Sequence, residues 1–317
     1  MFLLLSCSAE LAQPDIGEAV ELDPAAQGVA AADLDGDGWD ELFYVHEGVL
    51  SWPGGSLELE GTFQRAAAGD LDGDGAEELV VATGMSRDYR GPAHLERISK
   101  SGSKRIATFS GERTQVPELR VVEGRLWVAR YADSRVVEAG WFQDDLQVAA
   151  SGILATRSVP VGDEVVLAHV YGAEPKSDGY VALGDRRLAS HRGARSLALA
   201  DLDGDGDEDL LAGDGWHYAY GQQADGRVSL FEGPDFERSR TLAHFSEDYS
   251  ARELEVMEGW ILVTGTRQVH VLARDDLGWA DHVVGEVDES GHAVFVRTPK
   301  GPAVLISGEP ARLVPLK

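Results

Sequence analysis

The chain has 317 residues, 55 of them acidic and 28 basic, for a formal net charge of −27. So negative a surface repels phosphate backbones and anionic lipid and argues against a nucleic-acid partner, while 43% hydrophobic content argues against disorder and supplies a sizeable core. The single cysteine, Cys7, excludes an internal disulfide, and 37 glycines suit a fold with many tight turns.

Residues 1–15 read as the remnant of a leader and a linker, and residues 16–317 as a single domain. The apolar run Met1–Leu5 is far too short to span a membrane. Leu4-Leu5-Ser6-Cys7 is an apolar pair, a small residue and a cysteine. It resembles the cleavage box of bacterial lipoproteins. That resemblance implies lipidation of Cys7, an extracytoplasmic location (secreted, periplasmic or anchored to the cell envelope), and membrane contact only through the acyl chain. The next stretch, Ile16–Leu22 (IGEAVEL), alternates apolar and polar residues and is expected to be a strand.

Seven strand–turn–strand units follow. The first two turn through acidic loops, DLDGDGWDEL at Asp33–Leu42 and DLDGDGAEELV at Asp70–Val80. The third, ELRVVEGRLWVAR at Glu118–Arg130, turns at a Glu-Gly pair between alternating runs, a hairpin signal. The fourth, SVPVGDEVVLAHV at Ser158–Val170, turns at Gly162-Asp163. A third acidic loop, DLDGDGDEDL at Asp201–Leu210, makes the fifth. The sixth, ELEVMEGWILVTG at Glu253–Gly265, echoes the third, and HAVFVRTPKGPAVLI at His292–Ile306 turns at Pro299–Gly301. Successive turns are about 44 residues apart. Seven strand-rich units of that length predict an all-β fold, a seven-bladed β-propeller of four-stranded antiparallel blades. Only about eleven residues follow Ile306, so Ile16–Leu22 is expected to supply the outer strand of the seventh blade and close the ring. A β-sandwich would explain strands and turns but not the 44-residue beat.

The three acidic loops share D-x-D-G-D-G-x-x-[DE]-L. Carboxylates at positions 1, 3, 5 and 9 suit Ca²⁺, which takes about six to eight oxygens, and the glycines permit the bends that bring the chain round. Without a cation such crowded carboxylates repel one another. The loop is not an EF-hand: position 12 is Tyr44, Val81 or Ala212 rather than Glu, and the flanks are strand-like. On these residues the units resemble the FG-GAP/VCBS repeats of integrin-α-type propellers. The resemblance implies about three bound Ca²⁺ ions. It assigns as ligands Asp33, Asp35, Asp37, the Trp39 carbonyl and Glu41; Asp70, Asp72, Asp74, the Ala76 carbonyl and Glu78; and Asp201, Asp203, Asp205, the Asp207 carbonyl and Asp209. The commoner residue at position 9 is Asp, and two loops carry Glu instead.

Catalytic patterns are missing from the sequence: there is no H-E-x-x-H, no C-x-x-C, no G-x-S-x-G and no phosphate loop. His217 lies among aromatics in GDGWHYAYG at 213–221, and the seven Trp (39, 52, 127, 141, 216, 260, 279) are spread along the chain, as expected of blade packing. The expected function is a monomeric, calcium-stabilised scaffold that binds a protein or glycan, with structural ions and no enzymatic role. The alternatives are a polysaccharide lyase or hydrolase built on a propeller, and a purely structural cell-surface protein.

Overall fold

The computed structural model describes residues 16–22, 25–84, 91–110, 115–132, 136–153, 155–169, 179–191, 194–215, 226–245, 249–275, 278–288 and 291–316. Among them every regular element is a strand. After a short first strand, β1 (Val20–Leu22), the chain forms six meanders of four antiparallel strands. Blade one is β2 (Gly28–Ala32), β3 (Glu41–His46), β4 (Val49–Trp52) and β5 (Gly55–Glu58). Blade two is β6 (Thr62–Gly69), β7 (Glu78–Gly84), β8 (Ala93–Ser99) and β9 (Gly102–Phe109). Blade three is β10 (Glu118–Val122), β11 (Arg125–Tyr131), β12 (Val136–Phe142) and β13 (Leu146–Ile153). Blade four is β14 (Ala155–Val161), β15 (Glu164–His169), β16 (Gly179–Leu183) and β17 (Arg186–His191). Blade five is β18 (Ser196–Ala200), β19 (Asp209–Gly213), β20 (Arg227–Phe231) and β21 (Ser239–His244). Blade six is β22 (Glu253–Met257), β23 (Trp260–Thr264), β24 (Gln268–Asp275) and β25 (Gly278–Glu286).

The seventh sheet takes strands from both ends of the chain. β26 (Ala293–Thr298), β27 (Gly301–Ile306) and β28 (Ala311–Pro315) are completed by β1, with Val20 opposite Leu313 and Leu22 opposite Ala311. The expected closing strand is therefore present but shorter than Ile16–Leu22. Its first part contributes only the Ile16–Leu316 bridge and a bond from the Gly17 amide to the Pro315 carbonyl at 2.9 Å.

Each of the seven expected turns joins the first two strands of a blade. Glu123-Gly124 and Glu258-Gly259 both have positive φ at both residues (49° and 69°; 52° and 81°), the signature of a type I′ hairpin turn. Glycine in the second place avoids the steric cost that a side chain meets there.

The core explains why the ring forms. Seven apolar clusters lie between neighbouring blades rather than within them: Phe43 and Leu50 with Leu79 and Ile98, Leu95 with Leu119, Trp127 with Leu167, Val166 with Leu197, Leu230 with Ile261, Val271 with Phe295, and Val29 with Leu305. A blade so placed is covered on both faces. Its second strand then loses the apolar–polar alternation of a half-buried strand: β7 (ELVVATG), β19 (DLLAG) and β23 (WILVT) are buried at every position. The fourth strands, such as β9, are mostly exposed. The tryptophans follow the packing expectation. Trp127 is fully buried, donates Nε1–H to Ser158 Oγ of the next blade at 3.0 Å, and meets Trp141 edge-on; Trp52 packs on Phe43. Trp39 alone among the described tryptophans is exposed, at 43%. Trp216, His217 and Cys7 lie outside the described residues.

Candidate metal loops and the channel belt

The three acidic loops share one local construction. In the first, the Asp33 carboxylate accepts from the amides of Gly36 (2.8 Å), Asp37 (3.0 Å) and Gly38 (2.8 Å). Asp35 accepts from Asp37 N, and Asp37 from Trp39 N. Glu41 reaches back to the Leu34 amide at 2.7 Å. The second loop repeats this with Asp70 on Gly73, Asp74 and Gly75, Asp74 on Ala76, and Glu78 on Leu71. The third repeats it with Asp201 on Gly204 and Gly206, Asp203 on Asp205, Asp205 on Asp207, and Asp209 on Leu202 and Gly233. Gly36 and Gly38 have φ of 78° and 91°, which only glycine takes without strain.

Oxygens of Asp33, Asp35 and Asp37 converge within 4.8 Å of one another, as do those of Asp70, Asp72 and Glu78, and those of Asp201, Asp203 and Asp205. The ninth-position carboxylate joins such a triad only in the second loop. All three ninth-position carboxylates accept from a backbone amide at the mouth of their loop, Glu41 from Leu34, Glu78 from Leu71 and Asp209 from Leu202. Burial raises the Glu41 carboxyl above its ordinary range, against the Leu34 amide that favours its ionised form, and Asp35, Asp33 and Asp37 add repulsion. Asp209 is raised likewise by burial, then by Asp203 and Asp205, against the amides of Gly233 and Leu202. Oxygen-only donors in close groups, already crowded, are what a hard divalent cation fits. Loops one and two also touch: Glu77 accepts from Asp33 N at 3.1 Å, and Arg297 of blade seven bridges Asp40 (2.6 Å) and Glu77 (2.7 Å).

Sequence reasoning missed a second feature. The first strands of all seven blades surround a central channel with a cavity of about 590 Å³. One position, five residues before the first-hairpin connection, holds Arg65, Glu118, Arg157 and Glu253 in blades two, three, four and six. At ~3.3 Å per residue, this belt lies roughly 16 Å up the strands from the acidic loops. Arg65 pairs with Glu253, His292 Nδ1 lies 3.4 Å from Glu253, and Arg157 Nε lies 3.6 Å from Glu118. Burial works against ionised Glu253, yet Arg65 and His292 hold its carboxyl well below the usual range. Burial, with Arg65 nearby, lowers the Arg157 guanidinium to about 9. One layer deeper, burial raises Glu255 to about 7 although it accepts from the Phe295 amide at 3.1 Å. Among the described residues, the second oxygen of Glu118 and the Thr264 hydroxyl find no hydrogen-bond partner. The echo between ELRVVEG and ELEVMEG was the available signal: its shared first Glu marks Glu118 and Glu253 as equivalent.

The FG-GAP repeat family model matches residues 193–231, from the approach to the third acidic loop through β20. The chain is thus a seven-bladed β-propeller that carries an FG-GAP repeat. The crystal structure of Saccharomyces cerevisiae Sqt1 superposes with a TM-score of 0.54 at 9% identity, covering 97% of this chain and 99% of that one, a likeness of fold alone. No curated protein matches the chain.

Proposed function

We propose that the protein is a calcium-stabilised extracytoplasmic propeller that serves as a scaffold for binding a protein or glycan, its ions structural rather than catalytic. The convergence of three carboxylates within 4.8 Å in loops of one repeated design carries this reading. Asp33, Asp35 and Asp37 would hold an ion in blade one, and Asp201, Asp203 and Asp205 in blade five. The cation supplies positive charge to corners that otherwise repel themselves. The extracytoplasmic placement rests on the FG-GAP repeat, a type often found in extracellular proteins, and on the resemblance around Cys7. The channel belt is the recess to examine first for a ligand. It sets Arg, Glu and His groups side by side, an alternation of donors and acceptors suited to a polyhydroxylated group.

Thermal melting with EDTA and with added calcium tests the metal reading. At a Kd of ~10⁻⁴ M, 10 mM Ca²⁺ adds about 2.7 kcal/mol per site, and at ~2.1 cal/mol/K per residue that raises the Tm by about 4 °C per site. Superimposable melting curves would remove the metal reading. A glycan array and a pull-down from the source envelope, both in calcium, test the scaffold reading; enrichment of nothing favours a purely structural role.

A further inference from the structure

We propose that the second acidic loop is not a resting calcium site, because an arginine of its own blade already holds the cation's place. The inference rests on the calcium reading for the other two loops and divides the three look-alike loops into two classes. Arg97, on β8, puts one Nη2 at 2.6 Å from Asp72 Oδ2 and at 2.8 Å from Glu78 Oε1. Those are two of the three carboxylates that converge in this loop. Lys100 Nζ takes a third acid of the loop, Asp74, at 2.5 Å. Asp70, the remaining member of the triad, is held by the amides of Gly73, Asp74 and Gly75.

Nothing comparable serves the other loops. Arg97 stands opposite Val80, ten residues past the first Asp of its loop. The residue ten past Asp201 is Leu211, and it faces Leu230, which is buried and apolar. Blade one's third strand reads Val-Leu-Ser-Trp and contains no basic residue. The basic residue of β20, Arg227, is committed to Asp214 at 2.7 Å. Among the described residues no ion pair reaches Asp33, Asp35, Asp37 or Glu41, nor Asp201, Asp203, Asp205 or Asp209.

A guanidinium and a divalent ion compete here for the same oxygens. Charge-assisted N–H···O bonds at these distances are strong ones, and Arg97 is anchored by two at once. Calcium entering between Asp72 and Glu78 must break both bonds and leave a like charge beside itself. Blade two therefore keeps its corner closed without metal, whereas blades one and five depend on it. The protein takes two ions rather than three.

Native mass spectrometry of the full chain in 1 mM calcium, with equilibrium dialysis as a check, counts the ions. The wild type should carry two, Arg97→Gln three. The double variant Asp35→Asn/Asp203→Asn, in which Arg97 is untouched, should carry none. Three ions on the wild type, no gain in Arg97→Gln, or an ion retained by the double variant each overturn the inference while leaving calcium binding intact. A wild type that carries none overturns the calcium reading itself and this inference with it. The double variant decides the matter even if Arg97→Gln fails to fold.

Discussion

Arg65 and Glu253 are 188 residues apart in sequence and join blade two to blade six across the channel. Their side chains are 21% and 24% exposed, so the pair is neither fully dry nor freely solvated. At an effective dielectric near 20, unit charges ~4 Å apart attract by about 4 kcal/mol. Replacing Glu253 with Gln removes that attraction. It also strips His292 and Arg65 of their carboxylate partner and leaves Arg65 beside Arg157, which keeps Glu118. Breaking a buried pair from one side typically costs about 3–5 kcal/mol, and the partial exposure places this one at about 3. With unfolding entropy of ~2.1 cal/mol/K per residue, the Tm should fall by roughly 4–5 °C. Arg65→Met/Glu253→Leu, which removes both charges, should recover a large part of the loss. The Glu253 carboxyl is held below its ordinary value, so its contribution is present above about pH 4.5 and fades as pH falls through the folded value. The gap between wild type and Glu253→Gln should therefore narrow in acid. Thermal and denaturant melts of wild type, Arg65→Met, Glu253→Leu and the double variant, with Glu253→Gln alongside, at pH 7 and pH 4 provide the measurement. Single-variant losses under about 1 kcal/mol with coupling within ~0.5 kcal/mol would refute a latch across the channel.

Glu255 behaves oppositely. Its folded value of about 7 lies above the ordinary 4.5, because burial leads and Glu253 and Asp40 add repulsion against Arg120 and the Phe295 amide. Wild-type stability should fall as pH rises from 4.5 through 7, by up to ~3 kcal/mol, and Glu255→Gln should abolish that slope in pH-dependent melts. Trp127→Phe removes the bond to buried Ser158 and should cost about 1–3 kcal/mol in denaturant titration. Leu211→Ala, at a fully buried site between blades five and six, should cost about 2–5 kcal/mol by the same measurement. Removing residues 1–22 exposes the Ala311–Pro315 edge and should lower the Tm and promote association seen by light scattering.

The periodic part of the fold was legible because its signals are local. Glu123-Gly124 and Glu258-Gly259 announce their turns in two residues, and the acidic loops in ten. Blade closure was legible for another reason: the units leave a strand short at one end and an alternating segment spare at the other. The belt was not legible in the same way. Arg65, Arg157 and Glu253 meet only when three hairpins from different thirds of the chain face one axis, and no local pattern encodes that meeting. The ligand residues fall between. The position-1, -3 and -5 acids of the first and third loops converge as their spacing implies. The position-9 residue does so only in loop two, although in all three loops it accepts from the backbone amide of the second loop residue. Arg97 was hidden because it approaches from a strand across the sheet, 25 residues from Asp72.

The short first strand has a consequence for biogenesis. The last sheet pairs Val20–Leu22 with Ala311–Pro315, so a nascent chain on the ribosome can stack six wedges but cannot lock the circle before the later of those two segments emerges. Until Ala311–Pro315 emerges, the segment at Val20–Leu22 has no partner and the ring gapes at one seam. A restraint on either of those two strands would hinder that last step, whereas a break between two interior wedges would leave the clasp itself intact.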